Sequence, residues 1–401
     1  MISGHDIICF GPTDWWSGNP SCTTHIMRLL AQQNRILYIN PFSSDLSGRI
    51  RKGIAARMLR KTRSILKCYR RESESLHIYS PVFLPFQGKH HLDSLNNTIL
   101  RHQLSTVVKL LKFKRPIVWV ENVRSAEMIS SMKPKLTVYH VSDLFAKCKY
   151  TANKVQLGKR EQAVTRMSDL LICVSQRLYD LKRSQHSNVH YIPHGVDYSL
   201  FKEAAASGSK HPAATNVPSP IIGYYGSLTP NNDIETLKHC ADKLPSYSFI
   251  LAGQITGGDY EDLLAKPNVH YIGKQPYEQI PSLCASFDVC LLPWRVTDWI
   301  RHCNPLKLAE YMASGRPIVS VRIDEVASLY NELISVADSP QSFCDAIVHE
   351  LTNDTEARSK QRQQLAQDRS WTAQVDKISE LIASRLEDEA ADRDTFRMRS
   401  Q

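Results

Sequence analysis

At 401 residues and 42% hydrophobic content, the chain exceeds what a single core normally serves and predicts two folded domains. A net charge of +10 calls for an acidic partner: nucleic acid, anionic lipid or a phosphorylated substrate. Ten cysteines without a CxxC pair argue against a disulfide framework and fit free thiols in a reducing cytoplasm. Neither Cys148 with Cys173 nor Cys284 with Cys290 has zinc-ligand spacing, so no metal is expected. Met1–Phe10 carries His5 and Asp6 and is too short and polar for a signal peptide. No apolar run reaches the roughly 18 residues a membrane span needs.

In chain order, Asp6–Pro12 predicts a buried strand that ends in a Gly-containing turn. A helix through Ala31 and a second strand, Arg35–Pro41, complete a Rossmann-like opening without GxGxxG. The loop between holds Asp14, Trp15 and Trp16, at the strand end where doubly wound sheets bind ligands. Asp14 suits sugar hydroxyls and the indoles suit sugar C–H faces; equally, the two Trp rings pack between domains. Arg49–Arg71 holds ten Lys/Arg and no acid, with Ile50, Ile54, Met58 and Ile65 as a helical stripe. A basic amphipathic helix is the pattern of a surface-lying membrane anchor, with Arg57, Arg60, Lys61, Arg63 and Lys67 as its contacts. A solvated loop or an acceptor-phosphate patch is the alternative, and no recognisable nucleic-acid-binding module is present.

Ser75–Phe86 reads as a broken strand, and His91–Lys112 as a helix burying Leu95, Ile99, Leu104, Val108 and Leu111. Strands follow at Pro116–Glu121 and Lys135–Val141, the latter running into Ser142-Asp143. His140 or Asp143 at that strand end could take a proton from a hydroxyl, while Asp143 could instead cap the next helix. After a polar helix, Lys154–Asp169, strands are predicted at Leu170–Ser175 and Asn188–Asp197. Glu203–Pro220, rich in Ala, Ser and Pro, reads as a linker.

Beyond it the alternation resumes at Pro220–Ser227, Tyr247–Gly253, Asn268–Gly273, Val289–Pro293, Pro317–Val321 and Leu333–Ala337. Gly226 and Ser227 close the first of these strands, where a glycine lets backbone approach an anion. Trp294, Arg295 and Asp298 follow the Val289 strand; Arg295 suits a phosphate, an acidic sugar or plain solvent. Asn304–Pro317 predicts a helix with Pro in its first turn, an apolar stripe of Leu306, Ala309 and Met312, and Gly315 as its stop. Lys307 and Glu310 then share a face beside the opening turn, where a lysine neutralises phosphate and a glutamate accepts bonds from adjacent hydroxyls. For an isolated pair, a surface salt bridge is the plainer reading. Two polar helices, Thr355–Gln367 and Trp371–Asp388, and a charged, frayed tail end the chain; Asp392-Arg393-Asp394 in that tail is a chance D-x-D.

The Asn304–Val321 stretch resembles the nucleotide-sugar-binding segment of glycosyltransferases of the GT-B fold, in the glycosyltransferase 4-like group. The likeness covers most of the C-terminal half and is close to bacterial surface-polysaccharide enzymes of the teichuronic acid and exopolysaccharide glucuronosyltransferase-like kind. It implies an α/β architecture of two Rossmann-like domains facing across a cleft: an acceptor domain 1–202, a linker 203–219, a nucleotide-sugar domain 220–370, a helix 371–388 crossing back, and a tail 389–401. It implies donor contacts by Gly226, Ser227, Lys274, Arg295, Asn304, Lys307 and Glu310, with Asp143 preferred to His140 as catalytic base. The donor would be a UDP- or GDP-sugar co-substrate with no cofactor or metal, and the acceptor a lipid-linked or polysaccharide sugar. The site of action would be the inner face of the plasma membrane, through an anionic surface and without nucleic acid. Pro193-His194-Gly195-Val196-Asp197 resembles the family's Pro-Asn-Gly-Val-Asp turn, with His194 in place of Asn. Many retaining members carry Glu, seven residues, Glu; counted back from Glu310 the first position here is His302, which leaves retention or inversion open. Two other readings remain: a nucleotide-sugar epimerase or hydrolase of the same fold, and a non-catalytic basic scaffold.

Overall fold

The computed structural model describes residues 1–16, 20–42, 67–84, 90–144, 154–208, 210–330 and 332–399. Two compact units emerge: Met1–Ile192 with Gln374–Gln401, and Pro193–Ala373. Each is built on a mostly parallel sheet whose central strands are short apolar runs buried on both faces, as a helix-covered parallel sheet demands.

In the N-terminal unit the strands are β1 (Asp6–Phe10), β2 (Arg35–Ile39), β3 (Tyr69–Arg71), β4 (Leu76–Tyr79), β5 (Ile117–Val120), β6 (Leu136–Val141), β7 (Leu170–Cys173) and β8 (Val189–Tyr191). Their order is β3-β4-β2-β1-β5-β6-β7-β8. Only β3 runs antiparallel, on the β4 edge. The order reverses between β1 and β5, which makes that junction the unit's switch point. The C-terminal unit holds β9 (Ile221–Tyr225), β10 (Ser248–Ala252), β11 (Val269–Gly273), β12 (Val289–Leu292), β13 (Ile318–Val321) and β14 (Ser335–Ala337), all parallel. Their order, β11-β10-β9-β12-β13-β14, is the doubly wound 3-2-1-4-5-6 arrangement with its switch point between β9 and β12.

Several expectations change. The basic stretch ends as strand β3, so Tyr69, Arg70 and Arg71 are extended and exposed. Arg57, Arg60, Lys61 and Arg63 lie outside the described residues. The Ala-rich segment read as a linker is the end of a helix, Tyr198–Ser207, whose Phe201 is fully buried in the C-terminal core. Alanine favours that helix, and one aromatic anchor docks it. The following turn is held as well: the His211 backbone N–H donates to Ser286 Oγ at 2.8 Å, and Ala214 is buried. The units therefore divide ahead of Pro193 rather than at 203–219. In the helix His90–Leu110 the buried positions are Asn96, Leu100 and Leu104, whereas Leu95 is exposed. The last helix continues from Trp371 to Arg399, past the predicted frayed tail.

Candidate active site

The C-terminal switch point collects glycine turns, a lysine and a glutamate. β9 ends at Tyr225, and Gly226 follows at φ 134°, a conformation that side-chain-bearing residues rarely adopt. A Cβ on Gly226 would lie 2.2 Å from Lys307 Cε and 2.7 Å from its Nζ, so the lysine stem is laid directly on this turn. Gly253, which follows β10 at φ 148°, is stacked just as closely: a Cβ there would sit 1.8 Å from the Gly226 carbonyl oxygen. The Gly226 N–H donates to the Ala252 carbonyl at 2.8 Å, and the Gly253 N–H to Gly273 at the same distance, which ties three neighbouring strand ends together.

Lys307 belongs to the helix Leu306–Ser314, whose N-cap Pro305 supplies no side-chain cap. The turn's backbone N–H groups and the positive end of the helix therefore face outward for an anion. The ammonium lies over two rings, 5.5 Å from the Trp294 centroid and 5.8 Å from that of Tyr224. Among the described residues it makes no ion pair. The buried face of this helix is Leu308, Tyr311 and Met312 rather than the predicted Leu306, Ala309 and Met312, because the helix is wedged between the sheet and the helix Glu356–Gln367. Gly315 stops it in the left-handed conformation, and the buried Arg362 guanidinium donates to the Gly315 carbonyl at 2.7 Å.

Glu310 lies one turn deeper and is buried. Tyr225 donates its hydroxyl to Glu310 Oε2 at 2.5 Å. Burial pushes the Glu310 carboxyl up to about 7, offset by the Tyr225 bond and the Lys307 charge and assisted by Asp197. Glu310 therefore titrates near neutrality, with Oε1 making no hydrogen bond to the described residues. Lys274, just past β11, is exposed, as is Ser227. Arg295 is exposed too; its backbone N–H donates to the Asn231 carbonyl at 2.7 Å. Asn304 donates to the buried Glu325 at 3.3 Å, tying the preceding loop to the helix Asp324–Tyr330. His302 Nδ1 lies 2.7 Å from the Asp298 carbonyl. A cavity of about 290 Å³ adjoins the site, lined by Trp294, Arg301, Arg322 and Asp338 among others. Gly253, Tyr224 and Tyr225 were not singled out from the sequence. Gly253 carried the same signal as Gly226, a glycine directly after an apolar strand.

Pro193–Asp197 is packed against the start of the last helix. A Cβ on Gly195 would lie 2.4 Å from the Trp371 ring, and Val196 exchanges backbone bonds with Arg369 and Trp371. His194 is buried within this turn.

At the N-terminal switch point the side chains turn inward. Trp15 is buried, with its ring 4.9 Å from Tyr38, the Arg28 guanidinium 5.3 Å away over it, and its N–H bonded to Asn40. Trp15 thus packs against neighbours in its own unit. Asp14 Oδ1 accepts the Trp16 N–H at 3.1 Å, and the half-buried Lys67 sits 4.3 Å from the Trp16 centroid, a local cation–π contact where a membrane contact was expected. His140 is only 2% exposed, against Trp119, with Nδ1 3.5 Å from Glu121 Oε2. Asp143 is half-buried and more accessible than His140. Cys22, Glu121 and His140 come together as possible metal ligands. Among the described residues no helix is long and apolar enough to cross a membrane.

Compared with known proteins, residues 219–353 match the family described as glycosyl transferases group 1. A curated relative, the putative teichuronic acid biosynthesis glycosyltransferase TuaH of Bacillus subtilis, is 24% identical over 224 residues. That match takes in 53% of this chain and 56% of the relative, so the chain spans little more than half of that protein's length. Among solved structures, sucrose-phosphate synthase from Thermosynechococcus elongatus superposes with a TM-score of 0.71 at 15% identity, covering 95% of this chain and 99% of that one. Anabaena HepE in complex with UDP-glucose gives 0.66 at 16% identity, over 95% and 100%. A UDP-forming trehalose-phosphate synthase from Burkholderia xenovorans gives 0.66 at 11%, over 97% and 100%. The fold is GT-B, and within the C-terminal unit residues 219–353 are similar to group 1 glycosyltransferases.

Proposed function

We propose that the chain is a glycosyltransferase that moves a sugar from a nucleotide-sugar donor to a lipid-linked or polysaccharide acceptor in surface-polysaccharide biosynthesis. The observation that carries this is Lys307 laid across Gly226 at the C-terminal switch point, beside an uncapped helix start. Ammonium and backbone N–H groups there suit the donor diphosphate, and they stabilise its charge as it leaves without further reorganisation. Glu310 Oε1 accepts a ribose or sugar hydroxyl. Lys274 and Arg295 stand on flanking loops, available to base, phosphate or sugar. The HepE structures hold UDP or UDP-glucose, which favours a UDP-sugar over a GDP-sugar as the first donor to try.

Acceptor chemistry is assigned to the N-terminal unit. Asp143 is the preferred base, since His140 is directed inward on Glu121. The basic stretch that includes Arg57, Arg60, Lys61 and Arg63 favours work at an anionic membrane surface. The nucleotide sugar is a co-substrate, and no further cofactor is invoked. The test is a transfer assay with labelled UDP- and GDP-sugars and lipid-linked acceptors, with products analysed in the presence and absence of acceptor. Acceptor-dependent product supports transfer, whereas turnover without acceptor indicates an epimerase or hydrolase. Binding to anionic but not neutral vesicles tests the membrane assignment.

A further inference from the structure

The N-terminal switch point holds a cluster that the glycosyl-transfer reading does not use. Cys22 opens the helix Cys22–Leu30 after β1, Glu121 directly follows β5, and His140 lies near the end of β6. Strands β1, β5 and β6 are neighbours in the sheet, so three adjacent rungs present a thiol, a carboxylate and an imidazole to one point. Their ligand atoms all lie within 4.8 Å of one another, and all three residues are buried. Cys22 Sγ is 3.8 Å from Glu121 Oε1, and His140 Nδ1 is 3.5 Å from Glu121 Oε2.

Tetrahedral zinc with bonds near 2.3 Å to sulfur and 2.0 Å to nitrogen or oxygen separates S from O by about 3.5 Å and N from O by about 3.3 Å. The two measured spacings, each to a different oxygen of Glu121, are within a few tenths of an ångström of these values, so the carboxylate would bind the cation through both oxygens. Glu121 Oε2 and His140 Nδ1 are also buried without a hydrogen-bond partner, an arrangement that proteins avoid unless something fills it. A thiolate and a carboxylate supply two negative charges, which balance a divalent cation.

We propose that Cys22, Glu121 and His140 form a binding site for a divalent, borderline-soft cation, with zinc the best fit to this mixed sulfur, oxygen and nitrogen donor set. A bound cation would hold Cys22 as the thiolate. Bound there, the cation would pin the start of the first helix to the centre of the sheet and fix the His140 ring.

The test uses the full chain. Purified protein, dialysed without chelator, is expected to carry roughly one zinc per chain by elemental analysis. Metal-stripped protein should rebind zinc saturably in competition with a chromophoric chelator. Cobalt(II) should give a thiolate-to-metal charge-transfer band that disappears in Cys22→Ser. Cys22→Ser and His140→Ala should each weaken zinc binding by at least ~10-fold. Circular dichroism checks their folding, and if either variant fails to fold, the wild-type cobalt band decides. A wild-type chain that binds no zinc saturably, lacks that band, or binds as well as its folded variants overturns the proposal.

Discussion

The two sheets reverse strand order in the same way, yet their switch points are furnished oppositely. Between β9 and β12 the chain places Gly226 and Gly253, where a Cβ would strike backbone or lysine, and lays Lys307 over them without an anionic partner among the described residues. Between β1 and β5 it buries Trp15 against Tyr38, and Cys22, Glu121 and His140 against one another. Bare backbone with an uncommitted cation recognises a polyanion, whereas a crevice packed with its own side chains is stiff and selective. One architecture thus serves two chemistries through what its strand ends carry rather than through topology.

The comparison can be broken at either end. The largest effect is expected in the packed crevice: Trp15→Ala removes a buried ring from Tyr38 and Arg28 and should destabilise the chain by about 3–5 kcal/mol in chemical denaturation. Trp15→Phe should recover most of that. A Trp15→Ala variant of unchanged stability but impaired acceptor use would restore the sugar-platform reading. In the open crevice, Lys307→Ala should lower the transfer rate by roughly 100- to 1,000-fold in steady-state assays while leaving the melting temperature nearly unchanged. Gly253→Ala drives a methyl into the Gly226 carbonyl at positive φ. It should cost about 2–3 kcal/mol of stability and weaken donor binding by calorimetry, because it displaces the turn under Lys307.

The smallest effect concerns pH. Glu310 is raised from its ordinary value to about 7 in the folded chain. The folded state therefore holds this proton more tightly than the unfolded state, and the group's contribution to stability falls as pH rises from about 4.5 to 7. In the ligand-free chain Glu310→Gln should remove that slope, seen as a difference in denaturation midpoint between pH 5 and 8. If the carboxylate accepts donor hydroxyls, donor affinity should rise with pH through the same window in the wild type and stay flat in the variant.

Much of this was legible in the sequence. Thirteen of the strands announce themselves as short β-branched runs, and Gly226 and Lys307 stand out because a glycine after a strand and a lysine at a helix start are local signals. What was hidden depends on distance along the chain. Cys22 and Glu121 are 99 residues apart, so no spacing rule links them. The Tyr225 bond to Glu310 spans 85 residues and partly offsets the burial that raises that carboxyl. Trp15 looked available because loop aromatics often are, but Tyr38, on the neighbouring strand β2, claims its face. The Ala-rich helix was misread because composition cannot show that a single Phe201 docks it.

The central claim is that Lys307 and its glycine turn hold the donor diphosphate. It is tested most directly by thermal shift of the wild type and Lys307→Ala with UDP-, GDP- and ADP-sugars. A stabilising shift with one nucleotide class, abolished in a variant that melts at the wild-type temperature, is the predicted result. No shift with any nucleotide sugar, or one that survives loss of the lysine, would contradict the account.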